Sequence, residues 1–254
     1  MPNLRTYLLT FMTSSKRYQA YSLKKYPIPP LFYWAIALSL AIALVPTIWT
    51  SVDLRVAALF DPVLPFFQSS DWPWVVWINA NVPSVFRGFL IVAFMTLLTA
   101  IGFKRLKRWR LPLAFVVMAG IAGPGLVVNA VFKDGWERAR PYQVENFGGP
   151  QKFTRAGVLA EECSQNCSFV SGHVACGFFL VSLMLVDRKR KVLWLTVGTI
   201  TGLLIGFARI SNMDHWASDV LWAYPVTLLT SLGVYKLLTL LLERPVVSVV
   251  HADT

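Results

Sequence analysis

Residues 111–132 read LPLAFVVMAGIAGPGLVVNAVF, and residues 133–141 continue KDGWERARP. The first part carries no charge and is long enough to cross a bilayer core, which takes about 20 apolar residues. The second part is dense in charge and ends on a proline. A span that delivers ionisable groups to its own end sets how the rest of the chain is read. Working outward, five further stretches satisfy the same length rule: residues 31–50, 84–103, 168–186, 192–208 and 217–242. The expected fold is therefore all-α, a polytopic membrane helical bundle with six transmembrane helices. It forms one membrane domain, residues 31–242, between a basic flank at 1–30 and a short tail at 243–254. The apolar run at residues 7–12 is short. Lys16, Arg17, Lys24 and Lys25 follow it rather than a small-residue cleavage site, so the flank reads as a retained cytoplasmic segment, not a signal peptide.

Composition agrees. The 254 residues are 56% hydrophobic and 15% charged, whereas a soluble domain has about 25% charged residues. A net charge of +11 on a soluble chain would suggest a nucleic-acid or anionic partner. Here the basic residues cluster in the flank, at 104–110 and at 188–191, all on one side of a six-span bundle. The positive-inside rule makes that side cytoplasmic and puts both termini there. Most of the acidic residues fall on the other side. The excess charge is thus a topological signal, and no nucleic-acid partner is expected.

Some ionisable residues stand out. Lys133, Arg140, His173, Arg209, His215 and Asp219 all map to the outer ends of spans, where charge is costly and usually functional. If the helix of residues 111–132 continues, Lys133 and Arg140, seven apart, share one face. Ser171-Gly172-His173 opens a span, and the free N–H groups of a helix N-terminus bind anions. His215 and Asp219 are i, i+4 neighbours, so the carboxylate can orient the imidazole. Two imidazoles, one carboxylate, three cations and a helix N-terminus suit phosphoryl transfer, which is largely positioning and charge stabilisation. No metal is expected, because the cations would repel one and no zinc-type ligand set is present.

These residues resemble the three-part signature of the type 2 phosphatidic acid phosphatase superfamily: Lys-x6-Arg-Pro, Pro-Ser-Gly-His and Ser-Arg-x5-His-x3-Asp. The chain carries Lys133 to Pro141, then Val170-Ser171-Gly172-His173, then Ala208-Arg209 with His215 and Asp219. Val170 and Ala208 replace a motif proline and serine; both histidines are kept. The resemblance implies catalytic roles for His215 as nucleophile, Asp219 as its orienting carboxylate and His173 as proton donor. It implies phosphate binding by Lys133, Arg140, Ser171, Gly172 and Arg209, and no cofactor. Arg138 reads as a solvated charge first and a helper second. The implied enzyme is a metal-independent lipid phosphatase of the bacterial inner membrane. Its active site would face the periplasm and its intermediate would be a phosphohistidine.

The outer loop around residues 145–173 is similar to the branch that includes lipid A phosphatases, so lipid A is the first candidate substrate. Undecaprenyl diphosphate and phosphatidylglycerol phosphate follow. Cys163 and Cys167 lie in that loop. An oxidising compartment and i, i+4 spacing allow a disulfide there, with two free thiols as the alternative. Residues 53–68 read either as an interfacial helix or as a connecting loop. Two other functions fit the inventory. One is a lipid phosphotransferase. The other is an anion-binding transporter, which would need charges through the depth of the bundle, whereas spans one, three and five carry none.

Overall fold

A computed structural model describes residues 27–243, apart from Pro62, Leu64 and Pro65. The flank up to residue 26 and the tail from residue 244 lie outside the described residues. Helix dominates. Among the described residues there is no β-strand, only an isolated bridge between Val144 and Gln151.

Helix α1, Pro30–Ile48, starts on proline, whose fixed φ suits the first helical position. It buries Phe32, Ile36, Ser39, Ala43 and Pro46, a stripe at helical spacing. Its other faces expose Trp34, Leu38 and Ile42, side chains that lipid solvates and water does not. A short helix, α2 (Ser51–Ala58), follows and buries Asp53 and Ala57. The stretch read as helix or loop is thus helical only as far as Ala58; its described residues beyond that are turn and irregular chain. Helix α3, Pro73–Gly102, is 30 residues long and begins well before the expected residue 84. Asn79, Asn81 and Pro83 lower the hydropathy of its first turns, which hid them from an apolar-window reading.

Helix α4, Arg110–Gly120, runs on as a π-helix over Ile121–Lys133. Pro124 lies inside that segment and has no N–H for the ladder. The Asn129 side chain donates to the Pro124 and Gly125 carbonyls at 2.8 and 3.1 Å, satisfying acceptors that the wide turn displaces. Helix α5, Gly172–Ser182, continues for one 3-10 turn to Leu185. It is the central helix, with Val174, Ala175, Phe178, Phe179 and Val181 buried. Residues 168–171 precede it as non-helical chain, so the span expected over 168–186 starts later and is shorter. Helix α6, Lys191–Ser211, crosses α5 closely: a Cβ on Gly177 would sit 2.8 Å from the Gly202 backbone. Small residues permit that approach. Helix α7, Ala217–Glu243, closes the bundle.

Among the described residues, five segments are long and apolar enough to cross a membrane: Pro30–Ile48, Pro73–Gly102, Lys104–Lys133, Arg188–Ser211 and Ala217–Leu241; Gly172–Leu185 is shorter. By connectivity, the start of α3, the end of the π-helix, the start of α5, the end of α6 and the start of α7 gather at one end of the bundle. The basic loops at 104–110 and 188–191 lie at the other end.

Candidate active site

His215 sits in the turn between α6 and α7, and its ring is fully buried. Asp219, in the first turn of α7, brings Oδ2 to 3.6 Å from His215 Nδ1. That carboxylate is held tightly. Oδ2 accepts from the Trp216 N–H at 2.9 Å and from the Ser168 hydroxyl, and Oδ1 accepts from Arg138 Nη1 at 2.5 Å. Burial lowers the His215 pKa to about 4 against the opposing pull of Asp219. The imidazole is therefore neutral at pH 7 and has a lone pair to offer. Neither ring nitrogen makes a hydrogen bond among the described residues.

Arg138 is the largest departure from the sequence reading, which made it a solvated charge. It is fully buried and joins two carboxylates. Nη2 donates to Asp53 Oδ2 at 2.8 Å, Nη1 also donates to Ser218 Oγ at 2.8 Å, and Nε donates to the Thr154 carbonyl at 2.8 Å. Its guanidinium lies 5.3 Å from the Trp216 ring centroid and 5.7 Å from that of Phe153, within cation–π range. Asp53, from α2, also takes the Ser218 N–H at 2.8 Å. The outer helix is thus wired to the His215–Asp219 pair.

A cradle of cations lies beside the pair. The expectation that Lys133 and Arg140 share a helical face fails. The helix ends at Trp136, and Glu137 takes a left-handed conformation, φ 48°. The chain turns there, and Arg138, the next residue, points inward to its carboxylates. Asn166 brings the two cations together instead. Its side-chain oxygen accepts from Lys133 Nζ at 2.6 Å, and its carbonyl accepts from Arg140 Nη2 at 2.8 Å. Asn166 is itself left-handed, φ 49°, a conformation that asparagine tolerates better than most residues. It belongs to the five-residue loop that the Cys163–Cys167 disulfide closes, Cα to Cα 5.7 Å.

Arg140 and Arg209 share Asp214, at 2.6 and 3.0 Å. Two guanidiniums on one carboxylate leave a surplus of positive charge, and Lys133 stands beside Arg140 through Asn166, a setting that suits a phosphate anion. Ser171 Oγ and Arg209 Nε are buried and make no hydrogen bond among the described residues. Gly172 opens α5; a Cβ there would lie 3.3 Å from Asn129 Oδ1 and 3.8 Å from Lys133 Cε. His173, one residue on, lies with Nε2 3.3 Å from the Asn79 carbonyl oxygen.

The three sequence segments therefore converge. Spacing had not revealed Asp53, Asn79, Asn166, Asp214 or the burial of Arg138. Asn79, a polar residue among apolar ones, and Asp214, next to His215, were the available signals. If the disulfide loop holds the cradle through Asn166, Asn166→Ala raises KM for a phosphate substrate about tenfold with little change in kcat. Steady-state kinetics check this, and an unchanged KM would contradict it.

Residues 109–241 match the family model described as the PAP2 superfamily. That range includes every residue named above except Asp53 and Asn79. A protein named lipid A 4'-phosphatase from Francisella tularensis subsp. novicida (strain U112) is 35% identical over 153 residues, which are 59% of this chain and 69% of that protein. Proteins of the same name from Rhizobium leguminosarum and Rhizobium etli are 37% identical over 124 residues and 40% identical over 125. Each alignment covers 48% of this chain, with 52% and 47% of those proteins. The chain thus spans about half the length of the Rhizobium relatives. No solved structure matches the chain significantly.

Proposed function

The chain belongs to the PAP2 superfamily, and on that premise we propose that it is an integral membrane phosphatase acting on lipid A through a phosphohistidine at His215. One observation carries the reading: a buried neutral imidazole, oriented by a fixed carboxylate, lies beside a cationic cradle in which two arginines share one aspartate.

The chemistry follows from which atom faces what. His215 turns Nδ1 toward Asp219, so Nδ1 carries the hydrogen and Nε2 holds the lone pair. Nε2 attacks phosphorus as the bond from phosphorus to the leaving oxygen breaks. His173, as the imidazolium, gives that oxygen a proton and is left neutral for the second step. Water then attacks phosphorus and passes its proton to His173. The P–N bond breaks, releasing phosphate and the neutral imidazole. Lys133, Arg140, Arg209, the Ser171 hydroxyl and the Gly172 N–H stabilise the charge on the transferring group. The cations take the part that a metal plays in other phosphatases, and no metal or cofactor enters the scheme.

In this reading six helices cross a bacterial inner membrane, α5 being the shortest, with both termini cytoplasmic. The active site faces the periplasm, opposite the basic loops at 104–110 and 188–191. Trp72, Trp74 and Phe207 stack at the outer ends of α3 and α6, an aromatic rim suited to an amphiphilic substrate. The names of the relatives support lipid A as that substrate. The test is phosphate release by the purified protein from lipid A, undecaprenyl diphosphate and phosphatidylglycerol phosphate, each with and without chelator. Lipid A is expected to turn over fastest, and the chelator to leave its rate unchanged. Preference for another lipid would overturn the substrate assignment, and loss of activity in chelator would overturn the metal-free scheme.

A further inference from the structure

Helix α3 lies outside the region that matches the family, residues 109–241, yet it reaches both halves of the site through one residue. Asn79 stands in its second turn. The side-chain oxygen accepts from Arg209 Nη1 at 3.0 Å, and the amide donates to the Ala208 carbonyl at 3.2 Å. The main-chain oxygen of the same residue lies 3.3 Å from His173 Nε2. A carbonyl in mid-helix is ordinarily taken by the N–H four residues later. Four residues after Asn79 comes Pro83, inside the same helix. Proline has no N–H to give, and its ring presses against that carbonyl. The oxygen is left without its helical donor, and an imidazole N–H occupies the direction. A carbonyl can only accept, so Nε2 keeps its hydrogen, and Nδ1 is the nitrogen that gives up and regains the proton of the reaction.

Resting on the reading of His173 as proton donor to the leaving oxygen, we propose that Asn79 and Pro83 are positioning residues for the phosphatase reaction. Pro83 frees the Asn79 carbonyl. The carbonyl fixes the tautomer and the ring of His173, and the Asn79 side chain holds Arg209 in the cradle. A role in packing α3 on α6 requires only the contact with Ala208. It gives no reason for a proline four residues along or for an imidazole on the carbonyl.

Pro83→Ala is the sharpest test, since it restores an N–H that competes for the Asn79 carbonyl and alters no side chain in the site. Alanine also favours the helix, so folding is preserved. The expected result is a loss of about tenfold in kcat on lipid phosphate with KM nearly unchanged, the cost of a misplaced general acid. With p-nitrophenyl phosphate, whose leaving group departs without a proton, the burst of p-nitrophenolate that reports the first step is expected to slow by less than about twofold, since His173 then serves only the water step. In a His173→Ala background, Pro83→Ala is expected to add nothing, because the group it acts through is gone. Three results would overturn the proposal: unchanged lipid turnover, a p-nitrophenolate burst slowed as much as lipid turnover, or a further loss in the His173→Ala background. Full lipid turnover by His173→Ala alone would instead overturn the role of His173, so the two failures are distinguishable.

Discussion

His215→Asn is expected to abolish phosphate release, with kcat down by about 10⁴-fold or more, as when other enzymes lose a nucleophile. The reasoning is local. The ring is fully buried and neutral, and it is aimed by a carboxylate that three other donors hold in place. Asparagine approximates the volume but has no nucleophilic nitrogen, because its amide nitrogen's lone pair is delocalised into the carbonyl. Lys133, Arg140 and Arg209 are untouched, so substrate binding is expected to survive. The variant should therefore bind a phosphate mimic such as vanadate while turning nothing over. Retention of more than about a hundredth of wild-type turnover would contradict the nucleophile assignment.

Arg138→Met is expected to be the most destabilising single change at the site. It leaves Asp53 and Asp219 buried without their shared cation, and breaking such a pair costs about 3–5 kcal/mol. Turnover falls with it, since Asp219 loses the donor on Oδ1. Lysine is expected to rescue poorly. One ammonium cannot reproduce bonds to Asp53, Asp219, Ser218 and the Thr154 carbonyl, which the planar guanidinium reaches at once. Thermal unfolding in detergent measures the loss. Adding Asp53→Asn to Arg138→Met should recover part of it by removing one of the two uncompensated charges. An unchanged Tm for Arg138→Met would contradict the network's structural role.

The spans were legible because a bilayer imposes a length and an apolar composition that single residues cannot disguise. The segments that carry His173 and His215 were legible because the motif spacings are local. What escaped the sequence depends on closure of the bundle. Asp53 and Ser218 meet across 165 positions, and no local pattern announces that. Arg138 looks like a loop charge until Asp53 and Asp219 surround it. Lys133 and Arg140 seemed to need a continuous helix, whereas Asn166 joins them from a disulfide loop 33 and 26 residues away. Asn79 and Pro83 only diluted an apolar window. Their relation to each other, four residues apart, acquires meaning once His173 is seen to lie on the carbonyl. The early start of α3 was missed for the same reason, since the residues that serve the site are those that weaken the membrane signal.

The most direct test of the central claim is to trap the intermediate. The enzyme is mixed with ³²P-labelled lipid A, quenched within one turnover and digested, and the labelled peptide is sequenced by mass spectrometry. A phosphoramidate that survives base, is lost in acid and maps to His215 is the expected result, and the label should be absent from His215→Asn. Label on His173, or turnover of lipid A with no protein-bound phosphate at any quench time, would contradict it.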